Sequence, residues 1–330
     1  MIRSGHVLNI SHLTVDYGDD DSPAMALRDV SLFVDSSEFV GLVGESGSGK
    51  STLAYAILRL LHGGRVIDGS IDILGQNVYE LDDSQLRRFR WETVSMVFQG
   101  AMNSLNPVLT VEQHIHETIR AHDKSATASQ LRIRTDELLD MVEIDKQRAQ
   151  HYPYQLSGGM KQRVVIALAI ALHPKLVIMD EPTTALDVVV QRAILDRIAE
   201  IQRRQHFAVL FITHDLSLIE QIASRVSIMY AGTIVETTPV EKLLVKNVHH
   251  PYTVGLLNAI PELLEDNVNI ASIPGHPPEI TNIPLGCAFR PRCSYTQDLC
   301  RFSQPILEDY AGTAIACNRL LELEELLYGQ

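Results

Sequence analysis

The sequence predicts an α/β fold built on a largely parallel sheet, and three observations carry that expectation. Short apolar runs rich in β-branched residues alternate with helical stretches through roughly the first 240 residues. A glycine-rich turn, "GESGSGKST" (Gly44 to Thr52), separates one such run from a helical one. Further runs end in polar residues, "MDEP" and "ITHD", where open parallel sheets collect ligands at the carboxyl edge of their strands.

Taken in order, residues 7–43 alternate apolar and polar positions with turn residues between them, which predicts several strands. "EFVGLVG" (Glu38 to Gly44) is a buried strand, and "LAYAILRLL" (Leu53 to Leu61) a helix. "GSIDILG" (Gly69 to Gly75) and "VSMVFQ" (Val94 to Gln99) are strands. From about residue 106 to 172 the periodicity turns helical. "LVIMDEP" (Leu176 to Pro182) and "AVLFITHD" (Ala208 to Asp215) are buried strands, and "RVSIMYAGTIVE" (Arg225 to Glu236) is a hairpin. The acidic run Asp19 to Asp21 is a solvated hairpin tip. Prolines thicken after residue 250 and mark a linker into a tail.

Size and composition set the bounds. A chain of 330 residues accommodates one large domain and a smaller one. A hydrophobic content of 45% is that of a soluble globular protein. No apolar run approaches the roughly 20 residues that cross a bilayer, and "MIRSGHVLNISHL" lacks a secretion signal's basic-then-apolar pattern. The expected compartment is therefore the cytoplasm. A net charge of −13 argues against a nucleic-acid partner.

The glycines of the turn free backbone N–H groups to point inward, and the helix start behind them favours an anion. The spacing Gly44-x4-Gly49-Lys50-Ser51 is that of a nucleotide phosphate loop. Glu45, Ser46, Gly47 and Ser48 complete the cradle. Lys50 reaches the β- and γ-phosphates, Ser51 holds Mg²⁺, and Thr52 adds a contact to a more distant phosphate. Asp180 can hold a water on Mg²⁺, and Glu181 is the natural general base for an attacking water. Gln99 can reach both metal and water, and His214 can touch the γ-phosphate. The structural alternative for Asp180 and Glu181 is a capping pair before "PTTALD", and for His214 an ordinary strand-end histidine.

"LSGGMKQR" (Leu156 to Arg163) places Ser157, Gly158 and Gly159 before an amphipathic helix, a second helix start suited to phosphate. Two such sites for one nucleotide imply that two chains share nucleotides between them, each offering its Ser157 end to the partner's γ-phosphate.

The chain resembles the ATP-binding subunit of an ABC transporter over roughly residues 7–245, with GESGSGKS, Gln99, LSGGM, VIMDEP, TALD and His214 in that family's order. The resemblance implies a nucleotide-binding domain over residues 1–250, with a RecA-like parallel core, an antiparallel β subdomain and a helical subdomain at about 100–172. It implies ATP hydrolysis with Mg²⁺, adenine stacking on Tyr17, and contact of Ala185, Leu186 and Asp187 with the partner chain. A strand tyrosine at an edge remains the alternative for Tyr17. "HHPYTVGLLNAIP" (His249 to Pro261), "PGHPPEI" and "GCAFRPRC" resemble the C-terminal extension of oligopeptide and dipeptide importer ATPases, here residues 251–330. "LSGGMKQRV" resembles the D-type subunit of the pair. One departure stands out: Gly100-Ala101 replaces the acidic residue and proline that usually follow the family's glutamine, in a segment that faces membrane subunits.

All four cysteines lie in this tail: Cys287, Cys293, Cys300 and Cys317. A reducing compartment disfavours disulfides, and four thiolates suit zinc or an iron–sulfur cluster. Zinc favours a close C-x2–4-C pair, which is missing from the spacing. The family resemblance implies a [4Fe–4S] cluster at these four residues.

The expected function is thus an ATPase subunit of an importer of peptides, peripheral on the cytoplasmic face of the cell membrane. The implied partners are an F-type ATPase subunit or a second copy, two permeases and an extracytoplasmic solute-binding protein, with no nucleic acid. Alternatives are another cargo, such as nickel or oligosaccharide, or a soluble ABC ATPase acting on ribosomes or nucleic acid.

Overall fold

The computed structural model describes residues 5–19, 22–184, 186–243, 245, 247–259 and 273–328. Of the sequence expectations, the central part of the acidic tip (Asp20 and Asp21), Ala185, and the end of the "HHPYTVGLLNAIP" stretch (Ile260 and Pro261) lie outside these residues.

The chain opens with β1 (His6–Asp16), β2 (Met25–Asp35) and β3 (Phe39–Val43). Val30, Leu32 and Val34 are buried while Ser31 and Phe33 are exposed, the period of a half-buried strand. Strand β3 is buried throughout, as its unbroken apolar run requires. Helix α1 (Lys50–Ile57) stops short of the expected Leu61. Arg59 turns left-handed (φ 51°) and the Leu60 N–H reaches back to Tyr55 O at 2.8 Å, closing the end four residues early. Strand β4 (Arg65–Ile73) starts before the expected Gly69, because its first residues are mostly exposed and leave no apolar signal.

β5 (Gln76–Asn77), α2 (Asp83–Arg88) and β6 (Val94–Val97) follow. The helical stretch resolves into α3 (Val111–His122), α4 (Ala128–Met141) and α5 (Gly158–Ala169). Thr110 with Gln113, and Thr127 with Gln130, form reciprocal capping boxes that fix where α3 and α4 begin. Next come β7 (Leu176–Asp180), α6 (Val188–Gln205), β8 (Ala208–Thr213) and α7 (Leu216–Ile219). The hairpin is β9 (Arg225–Tyr230) and β10 (Thr233–Pro239), followed by α8 (Val240–Leu243) and α9 (Pro251–Asn258). The tail adds α10 (Leu299–Phe302), β11 (Glu308–Tyr310), β12 (Thr313–Ile315) and α11 (Leu323–Tyr328). Among the described residues, no helix is long and apolar enough to cross a membrane.

The chain forms two compact units. The first takes Met1–Leu8, Val34–Glu38 and Ile73–Phe211. Within it β6 and β7 pair in parallel, Val97 opposite Met179. The buried Gln202 amide on α6 donates to Ser37 O and Phe207 O at 2.7 and 3.0 Å. The second unit takes Asn9–Phe33, Phe39–Asp72 and Ile212–Gln330. Here β3 pairs with β9 in parallel and β9 with β10 antiparallel. The tail continues that sheet: β12 pairs with β10, and β11 with β12, both antiparallel. Its own small core is Val248, Ile315, Leu320 and Leu323, with Cys317 packed against it.

Helix α9 is capped from inside the core. The buried His250 ring accepts the Tyr252 N–H at Nδ1, 3.0 Å away, while the His250 backbone N–H donates to the buried Glu236 carboxylate at 2.7 Å, and that carboxylate also bonds the His249 ring. Burial holds the His250 imidazole neutral down to about 3, far below its ordinary value. The unfolded chain takes up a proton at about pH 6.5 that the native ring refuses. Stability is therefore complete above that pH and falls as pH drops toward 3, at up to about 1.4 kcal/mol per pH unit. Urea unfolding at pH 7.5 and 5.5 checks this: His250→Gln is expected to lose part of the wild-type difference between the two conditions.

Candidate functional site

The second unit builds the phosphate loop at the end of β3. Gly49 sits at φ 106°, a left-handed conformation that side chains strain to adopt, and an added Cβ would lie 2.7 Å from Ala26 O. A Cβ on Gly44 would lie 2.1 Å from Met229 O. The loop can therefore close only with glycine at these two positions. Gly49 is the N-cap of α1 and makes no side-chain cap bond, and a helix start of this kind favours an anion. Lys50 is 6% exposed. Its Nζ donates to Gly44 O at 2.7 Å, Glu45 O at 2.8 Å and Ser48 Oγ at 3.2 Å. The ammonium is thus curled over the loop's own oxygens, and Ser51 and Thr52 follow it, half-buried, on the first turn of α1. Ser46 and Gly47 are exposed at the tip, while Ser48 is buried and its carbonyl accepts the Gly232 N–H at 2.9 Å.

This arrangement fits a polyphosphate. It gathers an ammonium, glycine-freed N–H groups and hydroxyls into one turn at a helix start. Tyr17 stands just past the end of β1, half-buried, with its ring where a Cβ on Gly64 would come within 2.8 Å. His214 is exposed just past β8, and the neighbouring Asp215 caps α7.

The first unit holds the acids. Asp180 is the last residue of β7 and is 1% exposed. Glu181 follows in a left-handed conformation, φ 45°, an unusual geometry for a non-glycine residue at a strand end. The β6–β7 pairing ends at Val97 opposite Met179, and Gln99 and Glu181 each follow two residues later. The Gln99 amide donates to Glu181 Oε2 at 3.0 Å, and Thr184 Oγ1 donates to the same oxygen at 3.1 Å. Gly100 then takes φ 68° with open space around it, and starts the turn Ala101–Asn103. At this position the left-handed backbone itself favours the glycine that departs from the family pattern.

Ser157 caps α5, its Oγ accepting the Met160 N–H at 3.3 Å, and both Ser157 and Gly158 are exposed. Gly159 is a packing position as well: a Cβ there would lie 2.7 Å from Val190 Cγ1. Asp187 spends its carboxylate on capping α6, accepting the Val190 N–H at 2.9 Å. Leu186 beside it is half-buried.

The sequence did not reveal what holds Glu45. Its carboxylate is gripped by both ends of the Arg292 guanidinium, at 2.6 and 3.0 Å, and its N–H donates to the Tyr252 hydroxyl at 2.9 Å. The Glu45 carboxylate holds the guanidinium well above its ordinary value. No local pattern could have shown a contact spanning 247 residues.

Cys287, Cys293, Cys300 and Cys317 are all free thiols. The Cys287 N–H donates to Cys300 O at 2.9 Å, tying the Cys287 loop to α10. Burial, reinforced by the other three cysteines, pushes the Cys317 thiol up to about 11, and burial also raises Cys287 and Cys293. The four thiols thus share one neighbourhood. Among the described residues, however, no group of three or more His, Cys, Asp or Glu side chains stands as a site for a metal ion.

With this geometry in place, the comparisons with known proteins are specific. The ABC transporter family matches residues 27–184, and the oligopeptide/dipeptide transporter C-terminal region matches residues 235–300. The dipeptide transport ATP-binding protein DppD of Escherichia coli is 42% identical over 320 residues, 96% of this chain and 97% of its own. A putative peptide import ATP-binding protein of Brucella abortus is 42% identical over 328 residues, 98% of each chain. The dimeric ATP-binding cassette MJ0796, solved in a post-hydrolysis state with ADP and phosphate, superposes with a TM-score of 0.62 at 30% identity. It covers 71% of this chain and 98% of its own.

Proposed function

The chain belongs to the ABC transporter ATPases that carry the oligopeptide/dipeptide transporter C-terminal region, and on that premise we propose that it powers peptide uptake across the cell membrane. The observation that carries the cargo class is agreement along the whole chain, extension included, with a dipeptide transport ATP-binding protein. The ATPase function is assigned to residues 1–250, with a helical subdomain at about 100–172, and the extension to residues 251–330.

Lys50 leaves the loop oxygens it now contacts to neutralise the β- and γ-phosphates of ATP, while the loop N–H groups take the phosphate oxygens. Mg²⁺, when bound, offsets phosphate charge, and Ser51, Asp180 and Gln99 are the residues that would hold it or its waters. Glu181 accepts the proton of the attacking water, and Gln99 orients that water. His214 steadies the γ-phosphate, and Tyr17 stacks on the base. Ser157, Gly158 and Gly159 serve the nucleotide of a partner ATPase, and Asp187 lies at that partner contact. ATP closes such a pair and hydrolysis reopens it.

The partners proposed are an F-type ATPase subunit or a second copy, two permeases that dock near Gln99, and a solute-binding protein. The place of work is the cytoplasmic face of the membrane. Pull-down of this chain in mild detergent, with mass spectrometry, is expected to return permeases and a second ATPase. Recovery of ribosomal proteins without a permease would overturn the transporter reading.

We further propose that Cys287, Cys293, Cys300 and Cys317 hold a [4Fe–4S] cluster. Support comes from the chemistry of four free thiols in one short tail, buried at Cys300 and half-buried at Cys287, Cys293 and Cys317, a donor set that iron–sulfur clusters use. Anaerobically purified protein is expected to be brown and to contain iron and acid-labile sulfide. Stoichiometric zinc with no iron, or colourless metal-free protein, contradicts it.

A further inference from the structure

Peptide cargo and ATP chemistry leave the extension's "PGHPP" and "FRPR" stretches without a task. The structure ties both to the phosphate loop. Arg292 is 7% exposed, and each of its guanidinium nitrogens is engaged. Nε donates to Pro274 O at 2.8 Å. Nη1 donates to Glu45 Oε2 at 2.6 Å and to the Tyr230 hydroxyl at 3.4 Å, and Nη2 to Glu45 Oε1 at 3.0 Å and to Ile273 O at 3.5 Å. The start of the proline-rich stretch thus aims the arginine, and the arginine grips the loop in the planar two-point geometry that lysine cannot copy.

Tyr252 works beside it. It is fully buried, packed on the Tyr230 and Phe289 rings at 4.7 and 5.4 Å between centroids, and its hydroxyl accepts the Glu45 N–H. Glu45 is consequently held at three points. Its N–H and its carboxylate are held by the extension, and its carbonyl is one of the oxygens that receive Lys50 Nζ. The residue on which the phosphate-binding lysine rests is fixed from the tail.

We propose that Arg292 and Tyr252 are positioning residues for ATP, through which the C-terminal extension sets the phosphate loop by way of Glu45. A surface ion pair would not do this, because exposed pairs contribute little and hold nothing in place. This pair is sheltered and bidentate, and its acid is part of the loop itself. The extension is then a component of the nucleotide site and not only an appendage.

The inference rests on the nucleotide reading, and one set of variants separates the two. In the full chain, the dissociation constant for ATP is measured by titration with a fluorescent ATP analogue, beside thermal unfolding of each variant. Arg292→Gln and Glu45→Gln are each expected to weaken binding about tenfold, within the 5–150-fold range of coupling between sites. The double variant is expected to be no weaker than either single one, because both remove the same contact. Tyr252→Phe, which keeps the ring and deletes only the hydroxyl, is expected to weaken binding severalfold. A merely structural role would lower the unfolding temperature and leave the affinity of the folded protein unchanged. Affinity within twofold of wild type in Glu45→Gln and Tyr252→Phe overturns the proposal, even if Arg292→Gln fails to fold. Effects of Glu45→Gln and Arg292→Gln that multiply in the double variant overturn it as well. Lys50→Ala is the control: if it too binds as wild type does, the nucleotide reading itself fails.

Discussion

Glu181→Gln is expected to bind ATP within about twofold of wild type and to release phosphate at least about a hundredfold more slowly, the usual scale of a lost general base. The substitution is nearly isosteric. A glutamine carbonyl can still accept from Thr184, so the turn after β7 keeps that contact. The left-handed backbone at Glu181 is a property of the turn and is equally open or closed to either side chain. What the amide cannot do is take a proton from water. Phosphate release at saturating ATP, with an equilibrium binding assay beside it, separates the two effects. Turnover within threefold of wild type would remove Glu181 from the role of base and transfer it to the bond it makes with Gln99.

The second large effect is expected at Lys50. Lys50→Ala removes the one ammonium curled into the loop, and the ATP dissociation constant is expected to rise about a hundredfold, equivalent to roughly 3 kcal/mol. The side chain also bonds Gly44 O, Glu45 O and Ser48 Oγ, so its loss loosens the empty loop too. Thermal unfolding without nucleotide measures that structural share. An added millimolar of ATP is expected to raise the wild-type unfolding temperature and to leave the variant's unmoved. An equal ATP-dependent rise in both would place the phosphates elsewhere.

Local chemistry decided what could be read beforehand. The phosphate loop was legible because its glycines answer to backbone geometry: φ 106° at Gly49 and the close approach of Met229 O at Gly44 are demands no other residue meets. β3 and β7 were legible as unbroken apolar runs, and both are buried at every position. The start of β4 was not, because exposed residues such as Arg65 and Asp68 carry no period. The tail strands β11 and β12 were hidden for a related reason. Each has only three residues, too few for alternation to register, and what makes them strands is the open edge of β10.

Within the site, residue types were easier to foresee than their companions. Gln99 and Glu181 were each singled out, but their hydrogen bond depends on the β6–β7 register, which sequence periodicity does not fix. Asp187 was read for a partner contact, yet its carboxylate is also the cap of α6. The grip of Arg292 on Glu45 joins residues far apart along the chain, and the stretches around it were read as a linker and a family resemblance, neither of which specifies a contact.

The most direct test of the central claim is peptide accumulation by proteoliposomes that contain this chain with its co-purified ATPase and permeases, supplied with the solute-binding protein. The expected result is uptake of labelled dipeptide that requires ATP inside the cytoplasmic compartment and disappears with Glu181→Gln. ATP-driven uptake of nickel or an oligosaccharide with no response to any peptide would contradict the cargo. Peptide uptake unchanged in Glu181→Gln would contradict the mechanism by which this chain drives it.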